Sequence, residues 1–348
     1  MGQAMKLAVI GAGVAGLAAA HRLRQTEPSI ETVVWEKSRG VGGRAATRRV
    51  NGAVFDHGAQ YIKGATPAIE RLLRDELAHD TLVDIARPVW TFNAANQIAP
   101  GDPNQNAEPK WTYSDGLTRL AKELAQGLDI RLQTRVHHLA YRGHAYHLLD
   151  EQGSTLATVD AVLLTPPAPQ TQAIIAASEL PPLAQTTLVH ELAKAAYRPC
   201  LTLTLGYHQP LRDRPFYALV NTDKQHPVSW LAYEQLKPGR ATNSQQVLIG
   251  QMAPDWSHDH FEDELPALTT HIAELVSTLL DEDLRAPAWS DRQKWRYALP
   301  DSGADFQVLN AAQPNLFFAG DYTAGRGRVH QAIEQGWRVA QVIAHHAR

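Results

Sequence analysis

Residues 6–10 form a short apolar run, glycines follow at positions 11, 13 and 16, and Val14, Leu17 and Ala18 recur at helical spacing before Pro28. That order predicts a strand, a tight turn and a helix. A second β-rich run at 32–36 completes a βαβ unit, for which a right-handed crossover is expected. Helical periodicity returns at 69–79. From 93 to 110 the chain is rich in Asn, Pro, Gln and Gly, which marks a polar surface connection with a hairpin tip.

Ser114 or Asp115 can cap a helix running to about residue 126, after which 130–132, 136–141 and 146–149 alternate as short strands. The apolar run 161–164 is a further strand, stopped at Thr165-Pro166-Pro167 because proline lacks the N–H that a ladder or helix needs. A domain crossing is expected there. Beyond it, a strand at 200–207, mixed β-like sequence to 251 and a helix at 268–280 read as a separate substrate module. The chain ends as it begins. Residues 316–319 form a strand, and Val329, Ala332, Ile333, Gly336, Val339, Ala340 and Ile343 keep the i, i+3, i+4, i+7 rhythm of a helix.

At ~150 residues per domain, 348 residues imply two domains or one interrupted by another. A net charge of −3 argues against nucleic acid or an anionic membrane as the main partner. With 44% apolar and 20% charged residues the composition is that of an ordinary globular protein, which excludes dominant disorder. The single cysteine, Cys200, excludes an internal disulfide, a C-x-x-C redox pair and a thiolate metal cage, and is expected to be a buried strand residue. The apolar stretch 7–20 imitates a signal peptide, but three glycines interrupt it. No uninterrupted apolar segment reaches the ~18 residues that span a bilayer, so a cytoplasmic protein is expected.

Gly11-Ala12-Gly13-Val14-Ala15-Gly16 fits G-x-G-x-x-G directly after a strand and at the opening of a helix. Gly11 suits the tight turn, Gly13 lets backbone N–H groups approach a pyrophosphate, and Gly16 allows close helix–strand packing. The helix N-terminus then holds the anion. Glu36, at the end of the second strand, is placed to accept hydrogen bonds from a ribose 2′-OH, and its charge disfavours NADP. A glycine-rich turn without ligand is the plain alternative. Val41-Gly42-Gly43-Arg44 adds two residues without Cβ and a guanidinium near the same pyrophosphate. Far along the chain, Ala319-Gly320-Asp321 leaves a strand and leads to the helix at Val329, whose N-terminus would face the flavin N1 and C2 carbonyl. Asp321 can bind ribityl hydroxyls or simply cap a helix. Two distant phosphate-and-polyol sites favour FAD over NAD, and Val136 completes the expected cofactor set.

Glu36-Lys37 with Gly42-Gly43-Arg44, then Asp56-His57-Gly58-Ala59-Gln60-Tyr61-Ile62 and Thr66-Pro67, resemble the opening of renalase-type flavoproteins in the amine-oxidase-like FAD superfamily. Lys294-Trp295-Arg296 and Ala319-Gly320-Asp321 are similar to that family's later blocks, whereas 208–285 hardly match. The resemblance implies an α/β protein: a glutathione-reductase-like Rossmann FAD-binding domain with a discontinuous mixed-sheet substrate domain, as in monoamine oxidases. We expect the first domain at 1–65, 112–166 and 288–348 and the second at 66–111 and 167–287. The resemblance further implies noncovalent FAD, with Ala12, Gly42, Gly43, Arg44, Ala59 and Gln60 at cofactor contacts. The substrates it implies are isomeric dihydronicotinamide nucleotides, 2- or 6-dihydro-NAD(P), which would give hydride to flavin N5, with O2 as electron acceptor yielding H2O2. Two departures separate the chain from monoamine oxidases. No cysteine follows Cys200, so their C-terminal cysteinyl-flavin link is impossible, and Pro199-Cys200 open the strand where their flavin-facing lysine is expected.

The rest of the sequence adds less. No catalytic base is identified, although His57 and His330 are ones that folding can bring into place; a dihydropyridine donor, becoming an aromatic pyridinium, needs none. The histidine pairs near 137, 144, 258 and 345 lack zinc-site spacing and read as surface residues. Arg326 and Arg328 are candidates for binding substrate phosphates or flavin, or else form a solvated basic loop. Tyr61, Trp230, Trp295 and Tyr297, with His330, are candidates to wall a planar substrate; each alone also suits a core. The resulting expectation is an FAD-dependent oxidase without metal, nucleic-acid or membrane partners. An amine oxidase or desaturase on the same fold, and a noncatalytic FAD-binding protein, are the rivals.

Overall fold

The computed structural model describes residues 4–240 and 245–347. Two compact units share the chain: Met1–Ala45, Leu120–Tyr197 and Leu299–Arg348 form the first, and Ala46–Arg119 with Arg198–Ala298 the second.

The first unit is built on a five-stranded parallel sheet in the order Asp129–Arg131, Glu31–Trp35, Lys6–Ile10, Ala161–Leu164, Leu316–Phe318. Lys6–Ile10, Ala161–Leu164 and Leu316–Phe318 are apolar and buried almost throughout, the pattern of a sheet covered on both faces. The first and last strands predicted from the sequence thus lie in one sheet, with Ala161–Leu164 between them. Their following helices, Val14–Thr26 and Val329–His346, pack tightly together. A Cβ on Gly336 would stand 2.4 Å from the Ala15 carbonyl oxygen and 3.0 Å from the Ala18 Cβ. A three-stranded antiparallel sheet, His138–Arg142, Ala145–Leu149 and Thr155–Val159, completes the β-structure of this unit.

The second unit carries a mixed seven-stranded sheet ordered Trp289–Pro300, Tyr197–Tyr207, Gln246–Met252, Val228–Tyr233, Ala218–Asn221, Val89–Phe92, Ile98–Ala99. Parallel pairing of Val89–Phe92 with Ala218–Asn221 joins the unit's two chain segments. The helix Leu265–Leu280 buries Leu268, Ile272, Val276 and Leu279 in the same core as Leu203, Leu231 and Leu248.

Several expected boundaries move. Residues 167–197 belong to the first unit rather than the second, because the helices Ala168–Ala176 and Pro182–Ala193 bury Ile175, Leu188 and Leu192 in the core that holds Val162, Leu164 and Phe318. The prolines end the strand but do not mark a crossing. Residues 46–65 and 112–119 fall in the second unit, where the hairpin Thr47–Val50/Ala53–Asp56 is tied by buried charges to Lys237 and Arg240. Residues 288–298 join it through the Trp289–Pro300 strand. The helix expected from 114 is shorter, Thr118–Leu124. Gly116, at φ +112°, makes a turn whose N–H bonds the Tyr113 carbonyl. At 69–79 the helical stretch ends at Glu76 with a π-helical turn. Cys200 lies in its expected strand but is only half-buried, and burial of the thiol pushes its pKa up to about 11. Among the described residues no helix is long and apolar enough to cross a membrane.

Candidate functional site

The glycine turn lies at the end of the central strand of the parallel sheet. Gly11 takes φ +104° and its N–H donates to the Trp35 carbonyl at 2.8 Å. A Cβ on Gly16 would stand 2.2 Å from the Gly11 oxygen, so the helix can lie this close only because none is there. Gly13 differs: its backbone is ordinary, at φ −76°, and a Cβ there would meet nothing within 4 Å. The helix Val14–Thr26 starts with no side-chain cap and no acid in its first turn. Its leading N–H groups and positive end are therefore uncompensated by side chains at an open surface, which is what an anion site requires.

Two neighbours shape this turn. Glu36 accepts from Ala12 N–H at 2.8 Å through one carboxylate oxygen and from Ser38 N–H at 2.7 Å through the other. Gly42 lies alongside, its N–H donating to the Ala12 carbonyl at 2.9 Å, and Gly42 forms a parallel bridge with Gly13. Arg44 leaves this segment and reaches Asp321 at the far end of the chain, Nη1 donating to Oδ2 at 2.6 Å. The Tyr197 hydroxyl donates to the other Asp321 oxygen, Oδ1, at 2.7 Å. Burial opposes the charge on Arg44, but Asp321 beside it outweighs burial and raises the guanidinium pKa. Burial, and then the Asp321 charge, push the Tyr197 phenol up, so it stays a donor.

Gly320 and Asp321 follow directly on the last strand, and the helix Val329–His346 starts without a side-chain cap or first-turn acid. His330 stands in its first turn. Val136 is buried in the core with Ile10 and Leu164. Arg326 and Arg328 are exposed, and Arg328 bonds the Gly327 carbonyl. The first unit therefore brings together Gly11, Ala12, Gly13, Gly16, Glu36, Gly42, Gly43, Arg44, Gly320 and Asp321. Tyr197 was missed. It belongs to no motif, and its partner is 124 positions away.

Ala59 and Gln60 lie in the second unit. Gln60 is buried and turned inward: its amide donates to the Asp56 carbonyl at 2.5 Å and accepts from Lys237 Nζ at 3.3 Å. Below it sits a buried knot of two acids and two bases. Asp56 Oδ2 meets Lys237 at 3.2 Å and Arg240 at 2.8 Å, and Glu234 contacts both cations. Burial alone would raise the Asp56 pKa, but Lys237 and Arg240 overcome it and hold it at about 2, whereas burial wins for Glu234 and raises it. Only the spacing of Glu234, Lys237 and Arg240 hints at this in sequence.

The aromatic candidates separate into pairs. Tyr61 contacts Trp230 with ring centroids 6.3 Å apart, and Trp230 contacts Tyr217 at 6.1 Å. Trp295 instead stacks on His57 at 5.3 Å and donates Nε1–H to the His57 carbonyl at 3.0 Å. Tyr297 follows on the same face of that strand by the two-residue alternation. His57 is buried, and burial first, then the Arg48 charge, lower its pKa to about 4 against the opposing pull of Asp56. Its Nδ1 is enclosed without a partner. Among the described residues no group of three or more His, Cys, Asp or Glu side chains could hold a metal ion.

Comparison with known proteins gives consistent results. The family profile described as flavin containing amine oxidoreductase matches residues 101–344, and one described as NAD(P)-binding Rossmann-like domain matches 9–75. Among solved structures, a protein from Exiguobacterium sp. 255-15 that carries a provisional protoporphyrinogen oxidase name superimposes with a TM-score of 0.80 at 15% identity, covering 97% of this chain and 98% of that one. Cyclohexylamine oxidase from Brevibacterium oxydans IH-35A gives 0.75 at 15% identity, covering 98% and 99%. At such identity the likeness is one of fold. Coproporphyrinogen III oxidase of Staphylococcus aureus is 30% identical over 95 residues, 27% of this chain, and the match spans 20% of that relative's length.

Proposed function

This chain belongs to the flavin-containing amine oxidoreductases, and from that premise we propose that it is an FAD-dependent oxidase acting on isomeric dihydronicotinamide nucleotides. The observation that carries the cofactor assignment is the meeting, in one unit, of the open Gly13 surface, an uncapped helix N-terminus and the Arg44–Asp321 pair. These residues fit a dinucleotide pyrophosphate, and Glu36 retains lone pairs for ribose hydroxyls beyond the two it already uses. Bound there, FAD supplies a two-electron acceptor that dioxygen reoxidises with release of hydrogen peroxide.

The substrate assignment rests on the Gly58-Ala59-Gln60-Tyr61-Ile62 and Lys294-Trp295-Arg296 blocks. What this chain's residues supply is position: Lys237 and Asp56 hold Gln60, and Trp295 holds the His57 backbone. A dihydropyridine that turns into an aromatic pyridinium asks for no proton acceptor. His57, neutral above its pKa of about 4 and enclosed, suits hydrogen bonding better than proton abstraction. An amine oxidase acts on the free amine, so an ammonium substrate must first lose a proton; membership of the amine oxidoreductase family keeps that activity as the second reading.

The test is an anaerobic titration of the flavin-loaded protein with 2- and 6-dihydro-NAD(P) and, separately, with primary amines, followed by admission of air. Bleaching by the nucleotides, with recovery and peroxide in air, is the expected result. Bleaching by amines alone assigns an amine oxidase, and no bleaching by either donor class overturns both readings.

A further inference from the structure

We propose that Tyr197 is a positioning residue for the cofactor: its hydroxyl locks the Asp321 carboxylate so that Asp321 in turn fixes the Arg44 guanidinium beside the glycine turn. The inference rests on the assignment of FAD to this unit and names a residue that no sequence motif marks.

Asp321 is buried, and its two oxygens are held by segments 277 and 124 residues away in sequence, Arg44 on Oδ2 and Tyr197 on Oδ1. A carboxylate restrained at both oxygens cannot turn about its Cβ–Cγ bond. If the Tyr197 hydroxyl is removed, Oδ1 loses a charge-assisted bond in a buried place and the carboxylate is free to rotate. Arg44 then loses its fixed anchor. That matters for an anion because Arg44 emerges two residues after Gly42, the residue bridged to Gly13. The tyrosine ring adds support of a different kind: the Arg44 guanidinium lies over it, 5.8 Å from the centroid. Tyr197→Phe keeps this ring contact and deletes the hydroxyl, which bonds Asp321 Oδ1 and also interacts with Arg44, so it removes both polar ties of Tyr197 to the Arg44–Asp321 pair.

The full-length protein is stripped of flavin and titrated with FAD, the quenching of flavin fluorescence reporting the dissociation constant. Tyr197→Phe is expected to weaken binding about 10-fold, the low end for loss of a bond to a charged group. Asp321→Asn, of the same shape, should weaken it at least as much. The decisive arm is a double-mutant cycle with Arg44→Met. In that background Tyr197→Phe should add less than about a twofold further loss, because Tyr197 acts through the missing guanidinium; a merely structural contribution would be additive. Affinity of Tyr197→Phe equal to that of the unsubstituted protein, or full additivity in the cycle, overturns the inference while leaving the FAD assignment in place. Absence of FAD binding by the unsubstituted protein overturns both. If Tyr197→Phe fails to fold, the cycle of Tyr197→Leu with Arg44→Met gives the same decision, additivity again being contrary.

Discussion

Arg44 and Asp321 stand 277 residues apart in the chain and 2.6 Å apart in space. One follows the second strand of the opening βαβ unit, the other the last strand of the protein, and both strands belong to one parallel sheet. The pair is the side-chain counterpart of that sheet order: it joins the start and the end of the sequence within one unit.

The three glycines of the turn should separate cleanly by substitution. Gly16→Ala places a methyl 2.2 Å from the Gly11 oxygen and should cost roughly 1–3 kcal/mol of stability. Gly13→Ala meets no atom within 4 Å and should keep the fold, within about 1 kcal/mol, while crowding an incoming pyrophosphate. Urea midpoints and flavin content after purification check the two together. Normal flavin content in Gly13→Ala would count against the anion site.

Gly336 should be as intolerant as Gly16, for a reason that lies across the fold. Its missing Cβ lets the last helix rest on the Ala15 carbonyl, and Gly336→Ala should lower stability by roughly 1–3 kcal/mol through overpacking. Thermal unfolding measures this. An unchanged midpoint would mean that the two helices do not pack as described.

The buried knot in the second unit predicts a rescue. Lys237→Met leaves two buried acids facing Arg240 alone and should destabilise by about 3–5 kcal/mol. Adding Glu234→Gln restores charge balance, so the double variant should be more stable than Lys237→Met alone. Denaturant titration of both variants decides it.

His57 predicts a pH dependence with a definite sign. Its folded pKa of about 4 lies below the ordinary 6.5, so between those values the unfolded chain binds the proton more readily than the native one. Stability from this residue is complete above about pH 6.5 and falls as pH drops toward 4, by on the order of 3 kcal/mol. His57→Gln should flatten the unfolding midpoint over that interval; an equally steep profile would assign the dependence to other groups.

Much of the first unit was legible because its signals are local. The 6–10 run, the glycines at 11, 13 and 16 and the acid at 36 lie within one supersecondary unit, and the periodicity of 329–343 is that of a long amphipathic helix. The last strand and helix repeat the same strand-turn-helix order, and the structure places that strand parallel in the same sheet. What sequence could not give is pairing at a distance. Tyr197, Glu234, Lys237 and Arg240 are ordinary polar residues until folding brings Asp321 and Asp56 to them. The misplaced crossing at 165–167 has the same origin. Prolines end a strand locally, but only packing of Ile175, Leu188 and Leu192 decides to which core the next helices belong.

The most direct measurement is the absorption spectrum of the purified protein, followed by acid precipitation and mass analysis of what remains in solution. A flavin spectrum with intact FAD released into the supernatant is the predicted result. A protein that carries no flavin and takes none up on incubation with FAD would contradict the assignment of the glycine turn, Glu36, Arg44 and Asp321 to one cofactor cradle.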